Sequence, residues 1–493
     1  MIDRHLLVLQ VVIPLCGAPL VLLVRHREAA YGVALTVAGV AWGLAARIVY
    51  RVASEGTLSY ALGGWVPPWG IEYRVDALGA VAVGLAATVG LAGLVFAPRS
   101  IAREIPHERH YLFYVLYLLC FTGLLGISVT GDLFNLFVFL EIASLSGYVL
   151  VGLGPSRRAL TAAFQYLVLG TLGATFIVIG IGLLYQATGT LNMADMARLL
   201  PGVGRTRTLV VALAFFTAGL SLKAAVFPLH LWLPNAYTYA PSVVSAFLAG
   251  TSTKVALYAM LRLFLSVFGR TLELEWAPLH AMLTVMASFA IIVASAVAIF
   301  QSDVKRLLAY SSVAQVGYIV LGLTLMSVNG LTASVIHLAN HAFTKAGMFL
   351  AVGCMVLRLG SSDLATLKGV GRRMPLTTAA WVIGGLGLIG IPATAGFVTK
   401  WYLVSAALQA NAWILVTLII ASSLLAVVYV WRVVEVAYFR APDGEAGAVE
   451  EAPAAMLIAT WILIGATLYL GLFGSGPVGF ARRAAEMLLQ GAP

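Results

Sequence analysis

The sequence carries little charge. Only 10% of its 493 residues are Asp, Glu, Lys or Arg, whereas 61% are hydrophobic. Soluble globular proteins carry about 25% charged residues, so the composition excludes that class. The apolar runs also lack the alternation of polar and apolar residues that transmembrane β-barrels need. The sequence therefore predicts an all-α polytopic membrane protein.

Cysteine is scarce as well. Cys16, Cys120 and Cys354 lie far apart, each inside an apolar run. Their spacing is not that of metal ligands, so we interpret them as packing residues and predict no metal site. Nothing in the sequence is recognisable as a site for flavin, nickel, iron–sulfur or quinone. We therefore predict no cofactor, and any redox centre would belong to a partner.

The net charge of +10 does not indicate a nucleic-acid partner, because the basic residues lie in short loops between apolar runs. Loops after odd-numbered spans hold Arg25, Arg27, Arg99, Arg103, Arg109, Arg157, Arg158, Lys305, Arg306, Arg358, Lys368, Arg372, Arg373 and Arg440. The opposite side holds Arg4, Arg51, Arg74, Arg198, Arg205, Arg207, Arg270, Arg482 and Arg483. The larger set should face the cytoplasm. Both termini are then predicted on the outer side of the cell's inner (plasma) membrane.

Apolar runs of about 20 residues, the length that spans a bilayer, recur about fourteen times. The first run is longer than a signal-peptide core and is interpreted as a retained helix. The predicted spans are 6–24, 30–50, 76–96, 110–128, 131–153, 160–187, 208–226, 241–267, 278–300, 304–325, 331–357, 376–404, 412–438 and 453–474. Pro228 and Pro392 interrupt two of these regions, which predicts a broken helix at each.

The chain repeats itself. Gly147-Tyr148 recurs as Gly317-Tyr318, an offset of 170 (317 − 147), and Arg262 recurs as Arg432 at the same offset. Five spans separate corresponding elements, so the second unit enters the membrane inverted, as in many ion-coupled transporters. The predicted units are an N-terminal three-helix segment (1–108), a first repeat (109–268), a second repeat (277–440) and a C-terminal helix and tail (441–493). At this offset Ser311 stands opposite Glu141, so the second unit lacks a matching carboxylate.

Ionisable residues recur at membrane depth, where they are expensive and usually functional. They are Glu141, Lys223, Lys254, His337, His341, Lys345 and Lys400. The spacing of the two histidines and Lys345, at i, i+4 and i+8, puts all three on one helical face. Burial disfavours the charged form of lysine, a nearby carboxylate favours it, and histidine titrates near neutrality. The set predicts a buried, hydrated proton path.

Simpler interpretations compete at several positions. Lys305 and Arg306 fit an interfacial anchor, and Arg262 and Arg432 fit side chains that extend to the headgroups. Asp132 fits a helix N-cap. For the mid-span lysines the alternative is structural ion pairing. His230, inside the first break, could either relay protons or cap loosened backbone.

Five segments together resemble one known family over roughly residues 75–440. They are GDLFNLFVFLEIASLSGY, KAAVFPLHLWLPNAYTYAPSVVSAFLAG, STKVALYAMLR, SDVKRLLAYSSVAQVGY and HLANHAFTKAGMFL. The family comprises the antiporter-like proton-translocating subunits of respiratory complex I, membrane-bound hydrogenases and Mrp-type multisubunit cation/proton antiporters. The GDLFNLFVFLE segment looks most like that of the Mrp D subunit or its hydrogenase counterpart.

The resemblance implies fourteen helices with two inverted five-helix units, each holding a broken helix. It also implies roles for the buried charges. Glu141 would pair with Lys223 on the first broken helix, and Lys254 would be the next lysine toward the centre. His337, His341 and Lys345 would form the central group. Lys400 would match the residue that exits the second half-channel, although it follows its proline whereas Lys223 precedes its own.

The function expected from these observations is proton translocation within a multisubunit Na+/H+ antiporter, in which the partners are other membrane subunits. One alternative is a proton-pumping subunit of a complex I-like or hydrogenase complex powered by redox chemistry elsewhere. A second is a scaffold whose buried charges only fix helix packing. A carrier for an organic solute fits poorly, because the helix breaks offer lysine, proline and apolar residues. In no case is the chain itself expected to be an enzyme.

Overall fold

The computed structural model describes residues 2–204, 206–269, 276–442 and 449–490. Arg205 and Arg270, two of the basic residues used to predict orientation, lie outside this part of the chain. The helices of the N-terminal half are α1 (Leu6–Val24), α2 (Arg27–Glu55), α3 (Ala77–Glu104), α4 (His110–Val129), α5 (Leu133–Gly152), α6 (Arg157–Thr188), α7 (Met193–Val203), α8 (Arg207–Ala224), α9 (Trp232–Tyr239) and α10 (Ser242–Leu261).

The C-terminal half continues the helical architecture. Its helices are α11 (Trp276–Phe289), α12 (Ser295–Ile299), α13 (Val304–Thr324), α14 (Val328–Leu359), α15 (Val370–Arg373), α16 (Pro375–Ile389), α17 (Ala395–Gln409), α18 (Trp413–Phe439), α19 (Ala454–Leu472) and α20 (Ser475–Gln490). Short π-helical segments extend α10 (Arg262–Phe268) and join α11 to α12 (Ala290–Ala294). An antiparallel pair, β1 (Leu58–Ala61) and β2 (Glu72–Val75), lies between α2 and α3.

Among the described residues, thirteen helices are long and apolar enough to cross a membrane. Two shorter helices, α16 and α17, flank the break at Pro392, in the region where a further span is predicted. This confirms the prediction of about fourteen spans. The central spans are almost wholly enclosed by protein, since 94% of the most apolar window of both α10 and α13 is buried. Charged residues on these two helices therefore face protein, not lipid.

The helix caps reveal the internal repeat more sharply than the sequence does. Asp132 and Asp303 cap α5 and α13, accepting from the amides of Asn135 at 2.7 Å and Arg306 at 2.9 Å. Ser156 and Ser327 precede α6 and α14, which both contain 32 residues. Both pairs lie 171 apart (303 − 132; 327 − 156). The N-cap prediction for Asp132 is confirmed, and at the caps the offset is 171, one residue more than between the Gly-Tyr pairs. Ser312 (141 + 171) is thus the counterpart of Glu141, and the second unit still lacks a carboxylate there.

Both predicted helix breaks are present, and backbone groups freed at each break have hydrogen-bond partners nearby. After α8 the backbone turns at Ala225 (φ 55°), and the indole of Trp232 donates to the Leu222 carbonyl at 2.9 Å. After α16 the turn is at Gly390 (φ 89°), where a residue other than glycine would be strained. Backbone groups freed at membrane depth need protein partners of this kind. The domain limits at 109–268 and 277–440 remain predictions.

Candidate functional site

Lys223 and Glu141 meet where α8 ends. The Lys223 amine donates to Glu141 Oε1 at 3.1 Å and to Ser144 Oγ at 2.8 Å, and lies 3.4 Å from the Tyr148 hydroxyl. All three partners lie on one face of α5. The Lys223 side chain is 6% exposed and that of Glu141 is 24% exposed, so the lysine is buried whereas the carboxylate is partly accessible. The predicted pairing is present in the structure.

Lys254 lies in the middle of α10 and is fully buried. Its amine donates to the Ala249 carbonyl and, at 3.3 Å, to Thr253 Oγ1, both on its own helix. Within the described residues it forms no ion pair. An ammonium without a carboxylate is costly to bury, so Lys254 is an unusual residue for a packing role alone.

The three central residues of α14 share one face, as their spacing predicts. The imidazole rings of His337 and His341 stack with centroids 5.7 Å apart. The Lys345 amine donates to the Leu308 carbonyl at 3.1 Å and to Ser311 Oγ on α13. Neither ring nitrogen of His341 has a hydrogen-bond partner among the described residues. Buried imidazoles of this kind are commonly satisfied by ordered water.

Lys400 lies on α17, just after the second break. Its amine donates to the carbonyls of Leu388 at 3.0 Å and Ile389 at 2.8 Å, which are the free C-terminal carbonyls of α16. It also donates to Ser423 Oγ on α18 at 2.8 Å and lies 5.2 Å from the centre of the Tyr318 ring. A cation at a helix C-terminus is favoured by the helix dipole. Lys400 therefore stabilises the break as well as carrying charge into it.

The structure brings most of these groups within electrostatic reach of one another. A positive charge on Lys254 would repel one on His341 or Lys345, and a positive charge on Lys400 would repel one on His337. Between Lys223 and α10 lies a cavity of about 30 Å³, lined by Lys223, Ser144, Tyr166 and Ser252 among others. Most of its lining is apolar, but its volume leaves room for one or two waters beside these four polar side chains.

His230 is not part of this arrangement. It lies inside the first break, buried, with its ring stacked on Phe227 at 5.1 Å and facing Tyr310 at 6.4 Å. No described contact joins its ring to Lys223 or Lys254. A relay role for His230 remains a prediction that these contacts do not favour.

Comparison with known proteins decides the family. Residues 130–426 match the family described as "NADH:quinone oxidoreductase/Mrp antiporter, TM". The chain belongs to this family. Among the described residues of this family member, no three His, Cys, Asp or Glu side chains group as a metal site.

Relatives of this family member come from more than one kind of complex. One is "NADH-quinone oxidoreductase subunit N" of Desulforudis audaxviator, 42% identical over 95% of this chain and 96% of that protein. Another is the D subunit of a Na(+)/H(+) antiporter from Alkalihalophilus pseudofirmus, 29% identical over 99% of this chain and 97% of that protein.

The solved structures that resemble this chain also come from more than one kind of complex. A chain of the archaeal membrane-bound sulfane sulfur reductase has a TM-score of 0.90 at 31% identity, with 98% of each chain covered. A chain of the Mrp complex from Dietzia sp. also reaches 0.90, at 26% identity, covering 99% of this chain and 98% of that one. A chain of Thermus thermophilus complex I reaches 0.77 at 25% identity, covering 97% and 99%. The fold is thus that of antiporter-like transmembrane subunits.

Two interpretations of basic residues in this family member were wrong. Lys305 is not an exposed anchor: its side chain is 5% exposed, lies 3.8 Å from Glu104 and donates to the Ala240 carbonyl at 3.2 Å. Arg262 does not extend to the headgroups. Its guanidinium donates to both carboxylate oxygens of Asp76, at 2.5 and 2.6 Å; the Asp76 side chain is 4% exposed and that of Arg262 12%. Each basic residue meets a carboxylate from an end of α3, a partnership that only folding reveals.

The cysteine interpretation was partly right. Cys120 and Cys354 are buried, whereas Cys16 is exposed on α1.

The Asp76–Arg262 pair has a measurable consequence for stability. Burial alone would raise the pKa of Asp76, but Arg262 and the Gly79 amide hold that pKa below its ordinary value. Removing one partner strands a buried charge, which costs about 3–5 kcal/mol. We expect Arg262→Leu to lower the thermal unfolding midpoint of the detergent-solubilised protein markedly. Arg440→Leu, which breaks an exposed pair with Glu435, should shift it little. Equal shifts in the two variants would contradict the assignment.

Sequence reasoning also missed the hydroxyl groups that surround the amines. Ser144, Ser311 and Ser423 each accept from a buried lysine. Hydroxyls are common in apolar helices, so their side chains alone carry no signal. The repeated Gly-Tyr pair was the one available indication, because Tyr148 and Tyr318 both lie beside a lysine at a helix break.

Proposed function

We propose that this chain is the proton-translocating subunit of a multisubunit Na+/H+ antiporter in the plasma membrane. It works there as one part of a hetero-oligomer, with both termini on the outer side. The observation that carries the proposal is the Glu141–Lys223 pair at the first helix break. The buried amines and imidazoles that continue from it through α10, α14 and α17 support the same function.

The proposed proton path depends on where the buried side chains can hold a positive charge. Lys223 holds a proton more strongly while Glu141 is 3.1 Å away than after the two separate, because burial disfavours an ammonium that has no carboxylate beside it. The proton passes through the water-sized cavity toward α10 and Lys254. His341, His337 and Lys345 carry it across the middle, and Lys400 or Lys345 exchanges it with one face of the membrane.

The sodium route belongs at least partly to another subunit. Sodium, like other hard cations, is held by several oxygen ligands, whereas Glu141 is the single carboxylate of the proposed path. Glu435, near the end of α18, does not add a ligand to the path, because its side chain is 39% exposed and its carboxylate pairs with Arg440 at 2.9 Å. Proton and sodium paths would then be coupled across a subunit interface.

In a second candidate function the proton path is the same, but the energy for transport comes from a different source. The 42% identical relative is named as an NADH-quinone oxidoreductase subunit, and the sulfane sulfur reductase chain matches as well as the Mrp chain does. Under this alternative the chain pumps protons by redox chemistry in a partner. The lower TM-score of the complex I chain favours the antiporter over complex I itself.

One experiment separates the two candidates. The chain would be purified in mild detergent with the proteins that accompany it, and the same complex would be assayed in everted vesicles for Na+-induced collapse of a pH gradient. Small membrane subunits and a sodium response support the antiporter. Flavin- or iron–sulfur-containing subunits with no sodium response refute it in favour of the redox-driven pump.

A further inference from the structure

The repeated Gly-Tyr pair has no role in the path described above. In each unit, however, its tyrosine contacts the lysine at the helix break. Tyr148, on α5, has its hydroxyl 3.4 Å from the Lys223 amine. Tyr318, on α13, presents its ring face to the Lys400 amine, 5.2 Å from the ring centre. Both rings are buried, at 4% and 1% exposure.

Each tyrosine also contacts the next group inward. Tyr148 packs edge-on against Tyr166 with ring centroids 4.5 Å apart, and the Tyr166 hydroxyl lies 3.4 Å from Ser252 Oγ on α10, the helix of Lys254. Tyr318 packs edge-on against His337, with ring centroids 5.9 Å apart. In both units the tyrosine therefore contacts the break amine and also packs against a second buried ring.

The two contacts differ in kind for a geometric reason. The helix caps recur at 171 residues and the tyrosines at 170, so Tyr318 is displaced by one residue, about 100° around the helix axis. Its lysine is displaced as well, because Lys223 precedes the first break whereas Lys400 follows the second. The hydroxyl reaches the amine in the first unit, and the ring face does so in the second.

The fold makes room for the first of these contacts. Gly170, on α6, faces the Tyr148 hydroxyl, and a methyl group at this position would overlap that oxygen. Gly182, on the same helix, has open space where a methyl group would go. Gly170 and Gly182 therefore form a matched pair for substitution: an added methyl group would displace the Tyr148 hydroxyl at the first position and would contact nothing at the second.

We propose that Tyr148 and Tyr318 are repeat-related positioning residues for proton transfer. Each holds the amine at its unit's break in the orientation from which proton transfer along the path takes place. Tyr148 acts through a hydrogen bond from the Lys223 amine, and Tyr318 acts through a cation–π contact with Lys400, an interaction that strengthens when water is excluded. This inference rests on the proposed proton path and adds two residues to it.

The contact types predict different responses to the same substitution. Tyr148→Phe deletes the hydroxyl and should slow proton flux about 10-fold, the loss expected for one hydrogen bond at the transfer step. Tyr318→Phe keeps the ring face and should stay within about 3-fold of wild type. Tyr318→Leu removes the ring and should slow flux about 10-fold. Gly170→Ala should reproduce Tyr148→Phe, and Gly182→Ala should not.

Flux would be measured per assembled complex in everted vesicles, in H₂O and in D₂O. Slower proton transfer raises the H₂O/D₂O rate ratio in Tyr148→Phe and Tyr318→Leu, whereas a packing defect lowers complex yield and leaves the ratio unchanged. Tyr117→Phe, whose hydroxyl donates to the Gly90 carbonyl, and Phe113→Leu, a buried ring outside the path, are the controls. If Tyr318→Leu does not assemble, fluorinated tyrosine at 318 tests the same contact, because fluorination weakens the negative ring face and should slow flux.

Lys223→Ala and Lys400→Ala, assayed alongside, separate the positioning role from the proton path itself. Loss of flux in the lysine variants with wild-type flux in Tyr148→Phe or Tyr318→Leu overturns this inference alone. Wild-type flux in both lysine variants overturns the proton path, and this inference falls with it. Slowed flux with a raised isotope ratio in the tyrosine variants supports both.

Discussion

Replacing Lys223 by alanine is expected to lower proton flux in everted vesicles by at least about 100-fold, the usual contribution of a positioned proton-transfer group. The reason is geometric. Lys223 is the one described amine in contact with both the Glu141 carboxylate and the water-sized cavity that leads toward α10. Without it, a proton that arrives at the first break has no basic group on which to continue.

The matched control for this variant is Lys368→Ala, which removes a lysine of the connector before α15, outside the buried path. Its flux should equal that of the wild type. Glu141→Gln should fall between the two, because the Lys223 amine stays in place and only the carboxylate that regulates it is lost. Full exchange activity in Lys223→Ala, in a normally assembled complex, would rule out the path.

The double substitution Lys254→Met and Lys345→Met is expected to lower flux at least about 100-fold while leaving the yield of the complex unchanged or higher. Both amines are fully buried and form no ion pair within the described residues. Methionine has a similar length and needs no partner, so the packing loses little while the path loses both of its central amines. The measurements are flux per complex and the yield of complex after gel filtration.

The scaffold hypothesis predicts the reverse, namely intact flux and a lower yield. Lys305→Met provides a control within the same chain. Lys305 is also buried, but it lies 3.8 Å from the Glu104 carboxylate, and its loss strands that charge. We expect this variant to reduce yield more than flux. If the double variant behaves like Lys305→Met, the buried lysines serve packing alone.

Helix spans and breaks could be predicted from the sequence because each depends on local chemistry. Twenty apolar residues form a span wherever they occur, and Pro228 and Pro392 disrupt helices irrespective of neighbours. The set of buried ionisable residues was accessible for the same reason, since a lysine within an apolar run is anomalous on its own. Glu141 and Lys223 were paired by resemblance, and the structure places them in contact.

The partners of Arg262 and Lys305 could not be predicted in this way. Asp76 lies 186 residues from Arg262, and Glu104 lies 201 from Lys305 (305 − 104). Asp76 precedes α3, where an acidic residue looks like an ordinary N-cap, and Glu104 ends α3, where it looks like a solvated loop residue. Both interpretations failed because the choice between lipid headgroup and buried carboxylate depends on which helix packs alongside.

The sequence by itself determined that the chain is a helical membrane protein with an internal repeat, two broken helices and seven ionisable groups at membrane depth. These features follow from residue type and spacing along one helix. The tertiary structure alone decided which groups meet: Lys223 with Glu141 and Tyr148, Lys345 with Ser311, and Lys400 with Ser423 and Tyr318. Hydrogen bonds and ion pairs act over a few ångströms, so they depend on how helices distant in sequence pack together.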